Sequence, residues 1–178
     1  MKKVRANCPL CKLNSYKLVY YKKVWGGNSR DKFLICNKCD IVFLNPMPSD
    51  KELNKFYSDN YGRYMKERSL EQNWSNLIKE LQIISKREIP LRKKILKKYL
   101  LNGSICDVGS STGMMLEYFK DLKRTSHGIE PSKEHRSFSL SKKHTVFRNF
   151  KSVKRKYKNV LNYYVLEHIN DPLKFIKS

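Results

Sequence analysis

An α/β fold with a parallel sheet is predicted by three stretches of this sequence. Ser104 to Phe119, SICDVGSSTGMMLEYF, reads as a buried strand, a glycine turn and the first turns of a helix. About twenty residues on, HGIEPS is a short strand ending in Glu130. From Asn159, NVLNYYVLEHINDPLKF is another apolar run with a polar exit. Strands that alternate with helical patterns build βαβ units and so a parallel sheet.

Ahead of these stretches stand two cysteine pairs, Cys8-Pro-Leu-Cys11 and Cys36-Asn-Lys-Cys39. Two C-x-x-C knuckles about two dozen residues apart point to a zinc site. The short spacing turns both thiolates of a knuckle into one tetrahedron, and four thiolates close it as a structural site. The metal would supply folding energy that so small a module lacks. Disulfides and a redox pair are the alternatives. A reducing compartment disfavours the first, and the presence of a second pair disfavours the other.

Between the knuckles, Tyr16 to Trp25 reads as a strand and Gly26-Gly27-Asn28 as a turn. Phe33 to Cys36 leads back, which makes a ribbon-like hairpin, and Ile41 to Leu44 adds a strand. Asn45-Pro46-Met47-Pro48 breaks it. Ser49 and Glu52 then have the spacing of a capping box in front of the helix DKELNKFY. Tyr57 to Tyr64 reads as a loop. Its aromatics Tyr57, Tyr61 and Tyr64 line a substrate mouth or staple the zinc module onto the next helix, and we read them as the staple. Leu70, Trp74, Leu77, Ile78, Leu81 and Ile84 recur at helical spacing to about Glu88. Pro90 is expected to interrupt this pattern. A second helix then runs from about Leu91 to Leu101 and closes at Asn102-Gly103.

In the central stretch, Ile105, Cys106 and Val108 suit a strand covered on both faces, with Asp107 near its end. Gly109 and Gly113 bracket the turn with spacing G-x-x-x-G, which differs from the dinucleotide fingerprint. Glycine lets a backbone approach a ligand, and ligands sit beyond the carboxyl ends of such strands. Glu130, at the end of the second strand, is placed to accept both hydroxyls of a ribose. Ser132 is the expected N-cap of a helix to about Lys143. Thr145 to Phe147 is a short third strand, and Val160 to Val165 a fourth. Lys151 to Lys158 is basic, and Asn170-Asp171-Pro172 opens a last helix that runs to Ser178.

DVGSSTG at 107–113, GIEPS at 128–132 and VLEHINDP at 165–172 together resemble the class I S-adenosylmethionine-dependent methyltransferases. The resemblance implies a Rossmann-like sheet with S-adenosylmethionine above its first two strands. It implies Asp107 near the methionine end, Gly109, Ser110, Ser111 and Gly113 under the cofactor, and Glu130 on its ribose. Glu167 and His168, at the exit of the fourth strand, become candidates for catalysis, with His168 able to act as a base near neutral pH. The alternative is that they shape the loop and cap the next helix. The N-terminal pattern, CPLC…CNKCDIVFLNPMPSDKELNKFY, is similar to the zinc-binding head of one subgroup of these enzymes. Some members of that subgroup act on sugars or other small metabolites, so a small-molecule or sugar acceptor is expected. The expected division is a zinc module at 1–48, linking helices at 49–102 and a partial Rossmann-like domain at 103–178.

Three departures from the family pattern stand out. Ser111 replaces the middle glycine of the turn. Lys158 stands where an acid commonly begins the fourth strand, and no acid follows the third strand to meet an adenine amine. The family's sheet has the order 3-2-1-4-5-7-6, and only its first four strands fit into 178 residues. The chain is therefore expected to be the front part of a methyltransferase: a truncated product with impaired activity or a non-catalytic remnant, a fragment, or a split subunit whose open apolar edge a partner chain covers.

Lysine and arginine number 38 against 16 acids, a net charge of +22. That charge attracts phosphates, and a zinc-ribbon nucleic-acid-binding protein is the rival reading. The cations run through the whole chain without interleaved stacking aromatics, so solvated faces are the favoured explanation. No apolar run is long enough to span a membrane, and MKKVRANC has no apolar segment behind its lysines. A cytoplasmic protein with reduced cysteines is expected.

Overall fold

The computed structural model describes residues 6–19, 30–69 and 71–177. The expectations for Tyr20 to Trp25, for the Gly26-Gly27-Asn28 turn, for Leu70 and for Ser178 lie outside the described residues. The chain folds as two compact units, Met1–Glu52 with Leu166–Ser178, and Leu53–Val165.

The first unit is built on a three-stranded antiparallel sheet in the order β1 (Tyr16–Val19), β2 (Lys32–Cys36), β3 (Val42–Asn45). The register pairs Tyr16 with Cys36 and Leu34 with Phe43. Alternation along β2 turns Leu34 and Cys36 inward. There they pack with Ala6, Cys8 and Phe43 into a small core. The predicted capping box is present. The Ser49 N–H donates to Glu52 Oε2 at 2.7 Å and the Glu52 N–H to Ser49 Oγ at 3.3 Å, which starts α1 (Asp50–Lys55). The C-terminal segment of this unit carries a 3-10 turn, Leu166–His168, and α6 (Pro172–Lys177). Asp171 Oδ1 accepts the Lys174 N–H at 3.2 Å and caps α6, and Asp171 also pairs with Lys12 at 3.4 Å. Asn170 Nδ2 donates to the Pro48 carbonyl.

The second unit holds a four-stranded parallel sheet in the order β6-β5-β4-β7. In chain order this is the predicted 3-2-1-4. β4 (Ile105–Val108) is central and buried at all four residues, as its apolar run requires. α4 (Met114–Asp121) leads from it to β5 (Ser126–Ile129), and α5 (Lys133–Ser141) leads on to β6 (Val146–Phe147). β7 (Asn159–Asn162) is shorter than expected, because Tyr164 takes φ 57° and turns the chain away. Its outer side carries no strand among the described residues, and Val160 is 59% exposed.

Two expectations for residues 57–101 need correction. Tyr57 to Tyr64 is not a loop. Phe56–Asn60 forms a π-helical turn that runs into α2 (Tyr61–Ser69). Its five-residue step brings the Phe56 and Tyr61 rings to 5.9 Å, and Phe56 also meets Tyr57 and Tyr64 edge-on. Nor does Pro90 divide two helices, since α3 is continuous from Trp74 to Tyr99. A proline here removes one donor to the Lys86 carbonyl. Both residues are exposed, so water can satisfy that carbonyl. Burial of Leu77 and Ile78 before it and Leu96 after it holds the two halves in line.

Candidate functional site

Four thiols form the first candidate site. Cys8, Cys11, Cys36 and Cys39 place their sulfurs within 4.8 Å of one another. The Cys8–Cys39 separation is 3.6 Å and Cys11–Cys36 is 3.4 Å. A tetrahedral Zn–S site has sulfur edges of about 3.8 Å. The two knuckles repeat one backbone pattern. Lys12 and Asp40 both take left-handed φ (61° and 55°), and their amides donate to the Cys8 and Cys36 carbonyls, each at 3.0 Å. The Cys11 and Lys38 amides donate to the Cys8 and Cys36 sulfurs at 3.4 Å. The Lys38 N–H draws the Cys36 thiol down to about 6. All four predicted ligands are thus together, in a set that can hold a thiophilic metal.

The second site lies in the other unit, at the carboxyl ends of β4 and β5. Asp107 is buried near the end of β4. Gly109 follows at φ 73°, and a Cβ there would stand 2.5 Å from Val165 Cγ2. Gly113 closes the turn at φ 82° as the N-cap of α4, and a Cβ there would meet Ser139 Oγ at 2.3 Å. Neither position admits a side chain. The Gly109 and Ser110 amides donate to the Ile129 carbonyl at 2.8 and 3.2 Å, which ties the turn to β5. Ser110 buries its Oγ without a hydrogen-bond partner among the described residues, so it is held as packing toward β5. Ser111 has φ 49° and offers its amide to Glu130 Oε2 at 2.8 Å. The other carboxylate oxygen accepts the Ser132 amide at 2.8 Å. Glu130 therefore braces the turn, and its remaining lone pairs are what a ribose could use.

Both carboxyls are perturbed. Burial pushes Asp107 from 3.8 up to about 7, with Arg92 acting to lower it and Glu130 to raise it. Burial likewise raises Glu130 from 4.5 to about 7, against the Ser132 and Ser111 amides and the Arg136 charge. A cation placed beside these two buried acids would favour their ionised forms.

Sequence reasoning missed Arg92, His135 and Tyr163 here. Arg92 of α3 is ion-paired to Glu88, lies 4.4 Å from the Tyr163 ring centroid and acts on Asp107. Nothing marked it among 38 cations. His135, three residues past the Ser132 N-cap, is 2% exposed and meets Ser111 Oγ through Nδ1 at 3.3 Å. Trp74 stacks on it at 5.5 Å and Tyr61 packs edge-on at 5.3 Å. Burial lowers His135 to about 4, so it is neutral. Tyr61, one of the aromatics read as a staple, thus joins α2 to α5. Burial and the Glu130 charge raise its hydroxyl to about 12. Tyr163 completes the set beside Arg92 and Asp107. Glu167 and His168 sit exposed in the 3-10 turn Leu166–His168, within the unit of the cysteine cluster.

A sequence profile described as a methyltransferase domain matches residues 79–178, more than half of the chain. The chain belongs to this methyltransferase family. Its Rossmann-like parallel sheet is the class I fold that the three motifs resemble. Among solved structures, this methyltransferase chain is similar to the plantazolicin methyltransferase BpumL in complex with SAH. The match has 20% identity, 70% of this chain, 50% of that chain and a TM-score of 0.42. Complexes of BpumL with SAH and pentazolic or monoazolic desmethylPZN analogs give TM-scores of 0.43 and 0.42. The chain spans about half the length of these structures. No curated protein matches it. Among the described residues no helix is long and apolar enough to cross a membrane.

Proposed function

We propose that this chain serves S-adenosylmethionine-dependent methyl transfer to a small-molecule or sugar acceptor, with a structural zinc in its cysteine module. The burial of Asp107 beside the Gly109–Gly113 turn, within reach of the Arg92 charge, carries the cofactor reading. An α-amino acid presents an ammonium and a carboxylate a few ångströms apart, and an acid beside a base is its complement. Asp107 would take the ammonium of the methionine end and Arg92 its carboxylate. Glu130 would take ribose hydroxyls on the lone pairs that its two amide bonds leave over.

When bound, S-adenosylmethionine supplies a methyl group on a cationic sulfur that leaves by in-line displacement. The chain's own task is alignment and exclusion of water. Arg92 is held for this by its Glu88 pair and its stack on Tyr163. Glu167 and His168 remain the candidates for removing a proton from an acceptor. Cys8, Cys11, Cys36 and Cys39 would hold the zinc, and their sulfur separations support a tetrahedral site.

Calorimetric titration of the zinc-loaded chain with S-adenosylmethionine tests this reading. Asp107→Asn and Arg92→Ala are each expected to weaken binding by about tenfold or more, the scale of one charge-assisted hydrogen bond. A folded chain that takes up no cofactor, or variants that bind as the parent does, would sink it.

A further inference from the structure

The parallel sheet sorts its charges by end. Beyond the carboxyl ends of β4 and β5, the 109–113 turn is uncharged, and Glu130 and Glu134 stand against Lys133 and Arg136. The amino ends differ. Every connection that enters a strand there is basic. Lys97 and Lys98 close α3 before β4. Lys120, Lys123 and Arg124, with Asp121 among them, precede β5, and Lys142 and Lys143 precede β6. The segment before β7 carries Lys154, Arg155, Lys156 and Lys158. From Lys142 to Lys158 the chain has no acid at all.

Contacts join these connections into one face. Arg124 donates to the Leu101 and Gly103 carbonyls at 2.8 and 2.7 Å. The Lys158 amide donates to the Ser104 carbonyl at 3.1 Å. A cavity of about 310 Å³ is lined by Lys120, Lys123, Lys143 and His144, together with the hydroxyl-bearing Ser126 and Thr145. Apart from Arg124, the cations of this face are exposed. Of the lysines and arginines of this face, Lys120 has a salt-bridge partner among the described residues, Glu117 at 3.8 Å, which His144 also meets at 3.0 Å.

Cations in the last turn of a helix complement its dipole, which accounts for Lys97, Lys98 and Lys120. It does not account for Lys154 to Lys158, which follow an irregular segment. We infer that the amino end of the sheet is a docking face for the phosphate backbone of nucleic acid. An aromatic face beside the cations favours this partner over a lipid surface. Lys98 lies 5.0 Å from the ring of Tyr99, which is 66% exposed. Bases stack on such a platform while lysines neutralise phosphates. The face is at the opposite end of the strands from the Gly109–Gly113 turn, so both can be occupied together.

The test is fluorescence anisotropy of a labelled single-stranded RNA of about sixteen nucleotides, and of its duplex, with the full chain at about 150 mM salt. Combined Lys123→Glu, Lys143→Glu, Lys154→Glu and Lys156→Glu substitutions should weaken binding by at least about tenfold, with a shallower salt dependence. A control with the same charge change, Lys51→Glu, Lys55→Glu, Lys79→Glu and Lys86→Glu, should weaken it by less than about threefold. Lys154→Glu with Lys156→Glu alone should weaken binding measurably, which guards against misfolding of the larger variant. Equal weakening by face and control variants would overturn the proposal. So would no binding at this salt, or retention on phosphatidylserine vesicles without retention of RNA.

Discussion

Glu130 grips Ser111: its Oε2 accepts the Ser111 amide at 2.8 Å, while its Oε1 accepts the amide of Ser132. Ser111 sits at φ 49° in the middle of the turn that follows β4, and His135 meets its hydroxyl. Two buried side chains from β5 and α5 thus hold one strained residue. These bonds, with those of the Gly109 and Ser110 amides to the Ile129 carbonyl, tie the turn to the second strand.

Replacing that residue separates its two roles. Ser111→Gly relieves a left-handed conformation that costs a non-glycine residue roughly 1 kcal/mol, and it gives up the contact with His135. Thermal melting should therefore show a net change within about 0.5 kcal/mol. Ser111→Val keeps the strain, adds a branched side chain and loses the hydroxyl. It should destabilise by about 1–3 kcal/mol. A valine variant as stable as the parent would mean that the turn is not held as described.

The stability contributed by the two buried acids and the cofactor affinity should respond to pH in opposite senses. Asp107 and Glu130 titrate near 7 when folded, against ordinary values of 3.8 and 4.5. Below those ordinary values both states hold their protons, and the folded chain keeps its full advantage. As pH rises toward 7 the unfolded chain releases protons that the two folded acids retain, so their contribution to stability falls through that window, while neutral His135, lowered to about 4 by burial, contributes in the opposite sense below its ordinary value. Arg92 and Tyr163 face Asp107, and Arg136 and Tyr61 face Glu130. A cationic ligand favours the ionised acids. Its affinity should rise from about pH 6 to about pH 8 with release of protons, seen as a buffer-dependent heat in calorimetry. Asp107→Asn should flatten that rise.

What could be read in the sequence was local. The strand at 105–108, its glycine turn, the Ser49–Glu52 box and the Ser132 cap each depend on neighbours within a few residues. The four cysteines were legible because metal knuckles have fixed spacing. Arg92 was not, because its role comes from Tyr163 and Asp107, distant in sequence and met only in the fold. The same holds for His135, whose partners Trp74 and Tyr61 come from two other helices. The charge was read as diffuse because a linear sequence does not show that strand-entering connections share one end of a parallel sheet.

Pro90 misled for a related reason. A proline breaks a helix when its freed carbonyl has nowhere to go, and here that carbonyl faces water. The residue still costs α3 a hydrogen bond. Pro90→Ala should restore it and stabilise the unit by up to about 3 kcal/mol, raising the melting midpoint without altering cofactor affinity. A lower midpoint would show that the proline is accommodated at no cost.

The cysteine cluster carries the last expectation. Its unit has a small core, Ala6, Cys8, Leu34, Cys36 and Phe43, and two of those five side chains belong to the cysteine cluster. Apolar burial of that size does not hold a module together alone, so a bound zinc would supply much of its folding energy. Mass spectrometry under native conditions should find one zinc per chain. Chelation should unfold the three-stranded sheet while the parallel sheet of residues 53–165 persists, so near-ultraviolet dichroism should lose one component only. Cys36→Ser should abolish the zinc, since three thiolates with one weak oxygen donor bind it far less tightly. Should the chelated chain instead keep both components and resist thiol-modifying reagents, the four sulfurs would be a packed thiol core and no metal centre.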